Sequence, residues 1–198
     1  MNRALVAISL AGLTATASAQ APTLRFTADT TDPGSLGTAN WTVSLTGITS
    51  GAYLQAYDLD IIASVAVGFQ GFDVTTPFAT ALSTLVGPTP GAGGFDGSIL
   101  GASGGQSTLV DPLNATFGDV VLGTFSVKSA GPQLGLTYDI ADGGVLNAPF
   151  IRIRTGSDLG PVAFEGRPNV VSDVVNFTPA PSAAALLAFS FAAARRRR

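Results

Sequence analysis

Apolar and polar residues alternate one by one along several segments of this chain, and no other feature narrows its possible folds as far. In "LRFTAD" (24–29) and "NWTVSLTG" (40–47) every second residue is apolar, as with Trp41, Val43 and Leu45. Neighbouring side chains of a β-strand point to opposite faces, so this period predicts strands with one buried and one solvated face. Trp41, Val43 and Leu45 are therefore expected in the core of the domain.

The same alternation predicts about eight to ten strands in all, separated by loops that account for many of the 24 glycines. The other predicted strands are 53–69 (whole, or broken near Ala63 and Ser64), a short one at 98–100, 119–129, 133–141, 150–155 and 169–177. Single faces are predicted to hold Val121, Phe125 and Val127 in one strand, and Leu134, Leu136, Tyr138 and Ile140 in another. The predicted fold class is all-β, a two-sheet antiparallel β-sandwich.

The first residues have the pattern of a secretory signal peptide. A cationic Arg3 precedes an apolar stretch, and the small residues Ala17 and Ala19 stand before Gln20. We therefore predict a signal helix over residues 1–19, cleavage after Ala19, and an exported protein. With 198 residues, the chain is long enough for one sandwich domain, predicted at 20–177, followed by a tail at 178–198.

Composition removes most catalytic chemistry. The chain has no cysteine and no histidine, which excludes disulfides, Cys/His metal sites and imidazole catalysis. The one glutamate, Glu165, lies in "FEGRPN", a predicted turn, so no glutamate pair for glycoside hydrolysis exists. The predicted domain carries 13 acidic and five basic side chains, a net charge of −8, which disfavours nucleic acid as a partner. We expect no enzyme activity.

Two kinds of site stay open within the domain. Asp58 and Asp60 lie two apart on one strand face, where they could share a Ca²⁺ with loop oxygens or belong to a solvated face; no other cofactor is expected. Trp41, Tyr53 and Tyr57 could form a stacking platform for carbohydrate, but the alternation favours the core for all three.

Arg152 and Arg154 project on one side of "FIRIRT". They could contact an anionic polymer, or they could protect an edge strand against aggregation, and we favour the second interpretation.

The tail has three parts in a fixed order. A Pro179-Ala180-Pro181 motif comes first, then the uncharged run 182–194, then Arg195, Arg196, Arg197 and Arg198. As a helix the run would span about 20 Å, less than the ~30 Å hydrocarbon core of a bilayer, so we expect transient insertion and not a permanent span. The arginines would stay on the cytoplasmic side. A nucleic-acid arm is disfavoured by the predicted export.

This order, together with the signal peptide, resembles the PEP-CTERM sorting signal of bacterial surface proteins. The resemblance covers about the last twenty residues, and Ala180 stands where the usual motif has glutamate, as in a variant of Planctomycetes-type bacteria. The resemblance implies an exosortase-like enzyme as a partner that recognises and processes the tail.

In the middle of the chain, "AYDLDI" (56–61), "VLGTFSVKSAG" (121–131) and "LGLTYDI" (134–140) resemble the cohesin-like sandwich domains that often precede such tails. The fold expected is thus cohesin-like or jelly-roll-like. The function expected is a structural or adhesive one at the cell surface or in the extracellular matrix, with exopolysaccharide or other surface proteins as further partners. A carbohydrate-binding module for exopolysaccharide is the alternative.

Overall fold

The computed structural model describes residues 20–73, 89–90, 97–109, 115–141 and 150–179, and this part of the chain is all β-strand and connection. The predicted signal helix and the predicted apolar tail helix lie outside the described residues. Among the residues that are described, no helix is long and apolar enough to cross a membrane.

Thirteen strands make up the described part of the chain. Their bounds are β1 Thr23–Ala28, β2 Thr38–Thr46, β3 Ala52–Ala63, β4 Gly68–Asp73, β5 Thr89–Pro90, β6 Ile99–Gly105, β7 Val120–Lys128, β8 Gln133–Leu136, β9 Tyr138–Ala141, β10 Phe150–Thr155, β11 Val162–Gly166, β12 Asn169–Ser172 and β13 Val175–Phe177. The long segment 53–69 is thus broken after Ala63, and the segments 133–141 and 169–177 each form two strands.

The strands form two main sheets. Sheet A has the order β12-β1-β2-β7-β4, and sheet B has the order β11-β10-β3-β6-β5, with β9 also paired to β3. A small third sheet joins β13 to β8. The expectation of purely antiparallel pairing was wrong at one place, because β1 and β12 run parallel. Strand β12 reaches sheet A only after the chain has passed through sheet B, so it can join β1 in either direction.

The core lies between sheets A and B and is built around aromatic rings. Trp41 of β2 stacks on Phe125 of β7, with ring centroids 6.3 Å apart. Tyr138 of β9 meets the Trp41 ring edge-on at 4.9 Å, so the contact joins the two sheets. Trp41 and Leu45 are fully buried and Val43 is 1% exposed, which confirms the faces predicted for β2.

Two predicted core positions are wrong because the alternation breaks. In β7 the pairing with β2 shifts, since Val43 faces Gly123 while Ser44 faces Val121. The extra residue, a β-bulge, turns Val121 outward to 40% exposure, while Val127 further along the strand is fully buried. Leu134, which precedes the left-handed Gly135 (φ 75°) in β8, is 67% exposed.

The bulge in β7 makes a measurable prediction. Val127→Ala should lower the free energy of unfolding by about 1.5 to 3 kcal/mol, because it opens a cavity in the core. Val121→Ala should change that free energy by less than about 0.5 kcal/mol, as is usual at the surface. Urea unfolding curves of the two variants provide the measurement. Equal losses would contradict the register shift, since an unbroken alternation puts both valines on one face.

A second register shift lies in β3, where Arg152 faces Ala56 but the next residue of β10, Ile153, faces Leu54. Gln55 is the extra residue. Leu54 and Tyr57 therefore both face the core, whereas Tyr53 is fully buried outside the core cluster, on the outer face of sheet B. Burial of both tyrosines was predicted correctly, but the prediction that Tyr53 lies in the core between the sheets was wrong.

The strand pairing in sheet B contradicts two further predictions from the sequence. Glu165 lies in strand β11 and not in a turn, opposite Arg152. Strand β10 is not an edge strand, because β11 and β3 flank it on its two sides, so Arg152 and Arg154 do not protect an edge. Strand order depends on contacts far apart in the sequence, which local alternation does not encode.

The two ends of the sandwich differ. At one end Gly156 N donates to Gly51 O (2.9 Å) and Gly118 N donates to Ala52 O (2.9 Å), so three loops meet. We call this the distal end; it consists of residues 47–51, 106–109, 115–119 and 156–161. The opposite end, which we call the tail end, consists of residues 29–37 and 173–179. Strand β2 runs from one end to the other, a distance of about 27 Å for its nine residues.

Candidate functional site: loops and faces of the sandwich

A half-buried carboxylate, that of Asp158, joins the loops of the distal end. The hydroxyls of Tyr53 and Ser107 donate to Asp158, and Thr108 donates to it through its backbone N (3.0 Å) and its hydroxyl (3.0 Å). In return, the Asp158 backbone N donates to Thr108 Oγ1 at 2.8 Å. Asp158 therefore links the loop after β6, the loop after β10 and the start of β3. We call these four residues the Asp158 latch.

Burial and hydrogen bonding determine the protonation states of Asp158 and Tyr53 in the latch. Burial alone would raise the pKa of Asp158, but the hydrogen bonds from Ser107, Tyr53 and Thr108 outweigh it and hold the pKa well below the usual aspartate range. Burial, together with the hydrogen bond to Asp158, raises the pKa of Tyr53 to about 12. At neutral pH the carboxylate is ionised and the phenol keeps its proton, so the pair holds a structure and does not exchange protons.

Exposed apolar side chains surround the latch. Leu109 is 63% exposed and Leu159 is 84% exposed, and both lie next to latch residues in the sequence. Phe117, 43% exposed, places its ring edge-on to Tyr53 with centroids 5.5 Å apart. The latch thus fixes the loops that present apolar residues at the distal end.

The outer face of sheet B carries paired charges. Arg152 donates two hydrogen bonds to the Glu165 carboxylate, from Nε to Oε2 at 2.9 Å and from Nη2 to Oε1 at 3.1 Å. The guanidinium of Arg152 also lies 5.0 Å from the centroid of the Phe150 ring. Arg154 donates to Gln55 Oε1 (2.7 Å) and to Gly160 O (2.7 Å). Glu165 offsets the charge of Arg152, whereas the hydrogen-bond partners of Arg154 are neutral and occupy its donors without cancelling its charge.

Asp58 and Asp60 lie on this same outer face, as predicted, because Tyr57, Leu59 and Ile61 point into the core. Asp58 is only 5% exposed and Asp60 is half-buried, so the pair does not form an open solvated face. Within the described residues no group of three or more Asp, Glu, His or Cys side chains gathers anywhere. Calcium binding by this pair stays a prediction, which a calcium titration with no change in melting temperature would remove.

The aromatic residues do not form a stacking platform. Trp41 and Tyr53 are fully buried and Tyr57 is 3% exposed, with burial raising the pKa of Tyr57 to about 12. Carbohydrate binding by exposed rings at these three positions is therefore not supported.

Of the predicted tail motif, the described residues include only Pro179, which is exposed. Ala180, Pro181 and the four arginines lie beyond them, as do the predicted cleavage residues Ala17 and Ala19. What is visible is the attachment of the tail. The Asp32 carboxylate accepts the Thr178 hydroxyl at 2.8 and 2.7 Å and the Thr178 backbone N at 3.3 Å. The Thr178 hydroxyl bond, above all, lowers the pKa of Asp32.

No protein-family model matches this chain, and no curated protein sequence matches it significantly. Solved structures do match. The seventh type I cohesin of ScaB from Pseudobacteroides cellulosolvens is similar with a TM-score of 0.57 and 8% sequence identity, over 81% of this chain and 94% of the cohesin. A type II cohesin domain from the cellulosome of Acetivibrio cellulolyticus gives a TM-score of 0.55 and 9% identity, over 78% and 95% of the two chains. The fold is cohesin-like.

A type I cohesin from Clostridium thermocellum, solved in the Coh-OlpC-Doc435 complex, is similar to the same degree. Its TM-score is 0.55 and its identity 9%, over 81% of this chain and 96% of the cohesin. The similarity confirms the cohesin-like β-sandwich expected from the sequence. At 9% sequence identity the similarity supports a conclusion about the fold alone.

Proposed function

We propose that this chain is an exported cell-surface or extracellular-matrix protein, that its β-sandwich has a structural and adhesive role without catalysis, and that its tail is a sorting signal. The observation that carries the proposal is the place where the chain leaves the sandwich. Val175 and Phe177 are fully buried, Thr178 is bonded to Asp32, and the exposed Pro179 begins the tail motif. Folded domain and tail thus meet within two residues.

This junction suits a tail that is processed. Asn176 N donates to Thr31 O at 2.9 Å, and Asn176 Oδ1 accepts from Gly135 N at 2.9 Å, so the last strand is held on both sides. An enzyme that cuts the chain after Thr178 would remove no core residue. The sandwich would keep its structure when the tail is lost, as a sorting signal of the exosortase type requires.

The junction also orients the domain. During export the tail would insert transiently in the membrane with its arginines on the cytoplasmic side. The tail end of the sandwich would then face the membrane, and the distal end would point away from it. The exposed Leu109, Phe117 and Leu159 would face the exterior, where other surface proteins are found.

Cohesin-like relatives support an adhesive role by analogy. The similar cohesin from Clostridium thermocellum was solved as a cohesin–dockerin complex, and so was a cohesin from Acetivibrio cellulolyticus with the Cel5 dockerin. These are sandwiches that bind a partner protein. We carry over the binding role and not the partner, because no residue correspondence at 9 to 12% identity supports dockerin itself.

Intact-mass spectrometry of the mature surface protein tests the proposal. We expect a mass that lacks residues 1–19 and lacks Arg195 to Arg198. A matched variant with all four arginines changed to serine should keep its C-terminus, because the stop on the cytoplasmic side is gone. Retention of the four arginines in the unaltered protein would overturn the sorting role and leave a thinly inserted anchor.

A further inference from the structure

Three exposed apolar side chains lie where the chain leaves the sandwich. Leu36 and Leu134 are each 67% exposed, and Val174 is 49% exposed. Leu36 and Val174 belong to the tail end, and Leu134 lies in β8, which pairs with the last strand, β13. We call these three side chains the exit patch. Apolar side chains that are grouped at a solvated surface often mark a contact with another segment or molecule.

Hydrogen bonds to Asn176 hold two of the segments of the exit patch against the last strand. Asn176 N donates at 2.9 Å to the carbonyl of Thr31, in the loop that carries Leu36. Asn176 Oδ1 accepts at 2.9 Å from the backbone N of Gly135, which follows Leu134 directly. The loop before β2, strand β13 and strand β8 therefore form one continuous surface.

Val174 belongs to this surface because of the alternation along the last strand. Val175 and Phe177 are fully buried. Neighbouring side chains of an extended segment point to opposite sides, so Val174 and Asn176 point away from the core. The exit patch thus adjoins Asn176 and lies a few residues from Pro179, where the tail begins.

The apolar run of the tail starts beside the exit patch. Pro179 is exposed, and the run 182–194 begins three residues later, so its first residue lies within about 11 Å of Pro179. The run contains two leucines and two phenylalanines, at positions 186, 187, 189 and 191. Contact between the run and the exit patch would remove apolar surface of both from water.

We propose that the run 182–194 of the unprocessed chain docks on the exit patch and covers it. The inference rests on the proposed function in one respect, because it treats the run as a tail that stays attached to the folded sandwich until a membrane receives it. Docking shields the run from water during that interval. A patch of three side chains buries little area, so a membrane can take the run from it.

Charge also favours the tail as the occupant. Asp29, Asp32 and Asp173 lie at the tail end and accept hydrogen bonds from neutral donors, which leave their charges uncancelled. Lys128, at the tail-end terminus of β7, offsets one of these charges. The predicted domain has a net charge of −8, whereas the tail ends in four arginines, 195–198. The domain therefore attracts its own tail.

Two other occupants fit the exit patch less well. The apolar stretch at the N-terminus is attached at the distal end, because Thr23, the first residue of β1, is opposite Thr46, the last residue of β2. A second copy of the chain would bring a second domain of net charge −8, which repels the first. A short tether also holds the run at an effective concentration on the order of millimolar, so at micromolar protein the chain's own tail outcompetes a second copy.

A pair of introduced cysteines tests the contact, because the natural chain has no cysteine. Leu134→Cys is combined with Leu187→Cys in the full chain, which is purified and oxidised at micromolar concentration without lipid or detergent. We expect an intrachain disulfide in most molecules. Intact-mass spectrometry after thiol alkylation measures its yield.

Val174→Asp, added to the same cysteine pair, should lower the disulfide yield about threefold or more, because it places a charge in the apolar contact. Val171→Asp is the matched control: it adds the same charge at a valine of similar exposure (42%), on β12 and outside the exit patch. It should leave the yield unchanged, and thermal melts should show all variants folded. A tail that only passes Leu134 by diffusion would give equal yields in the two variants, and this result would overturn the inference.

Absence of the intrachain disulfide would overturn the inference as well. If disulfides between two molecules form instead and Val174→Asp removes them, the exit patch belongs to a second copy. If the protein without cysteines binds phosphatidylcholine vesicles and Val174→Asp weakens this binding, the patch belongs to a lipid surface. None of these measurements involves a processing enzyme, so the mass of the mature protein tests the sorting role separately.

Discussion

Replacement of Trp41 by alanine should lower the free energy of unfolding by about 3 to 5 kcal/mol, the largest loss expected from any single change considered for this domain. Trp41 is fully buried in sheet A, stacked on Phe125, and it meets the edge of Tyr138 from sheet B. Its removal opens a cavity at the contact between the two sheets. Neither sheet can close that cavity without moving a strand.

Urea unfolding followed by far-UV circular dichroism measures this loss, because Trp41 is the only tryptophan and fluorescence disappears with it. Trp41→Phe is the control, since it keeps a ring against Phe125 and Tyr138. It should lose less than half of what Trp41→Ala loses. Equal losses in the two variants would show that the aromatic contact between the sheets contributes nothing.

The core position of Trp41 was predictable because β2 alternates without interruption over nine residues. The same reasoning failed at Val121 and misplaced Tyr53, and both errors follow bulges. One extra residue reverses the face of every side chain on one side of it. In β7 the only residue whose type indicates a bulge is Gly123, and in β3 nothing about Gln55 indicates one.

The place of each strand within its sheet could not be predicted either, for a different reason. Glu165 was predicted in a turn because Gly166 and Pro168 follow it closely, although its strand β11 pairs with the nearby β10. Arg152 and Arg154 were predicted on an edge strand because the pairing of β10 with β3 joins residues about 100 apart in the sequence. The Asp158 latch was missed for the same reason. In "SDLG" Asp158 resembles an ordinary turn residue, and its partners Thr108 and Tyr53 lie 50 and 105 residues away.

Asp158→Asn should lower the free energy of unfolding by about 2 to 3 kcal/mol at pH 7. The amide nitrogen would face hydroxyl and backbone donors that now meet a carboxylate, and hydrogen bonds to a charged group contribute about 1.5 to 3 kcal/mol. Tyr53→Phe is the milder control, because it removes one donor and keeps the ring against Phe117; about 1 kcal/mol is expected. Both values come from urea unfolding at pH 7.

The pH dependence separates the charge of Asp158 from its shape. Since folding lowers the pKa of Asp158, the stabilisation is complete above the unfolded value of about 3.9 and is lost as the pH falls through lower values. The stability difference between the unaltered protein and Asp158→Asn should therefore stay constant from pH 7 to about 5. Below about 3.9 it should shrink by up to about 1.4 kcal/mol per pH unit. The other carboxylates are common to both proteins and cancel in the difference. A difference that persists undiminished at pH 2.5 would mean that the latch depends on side-chain shape, and that its ionised carboxylate does not hold the loops of the distal end together.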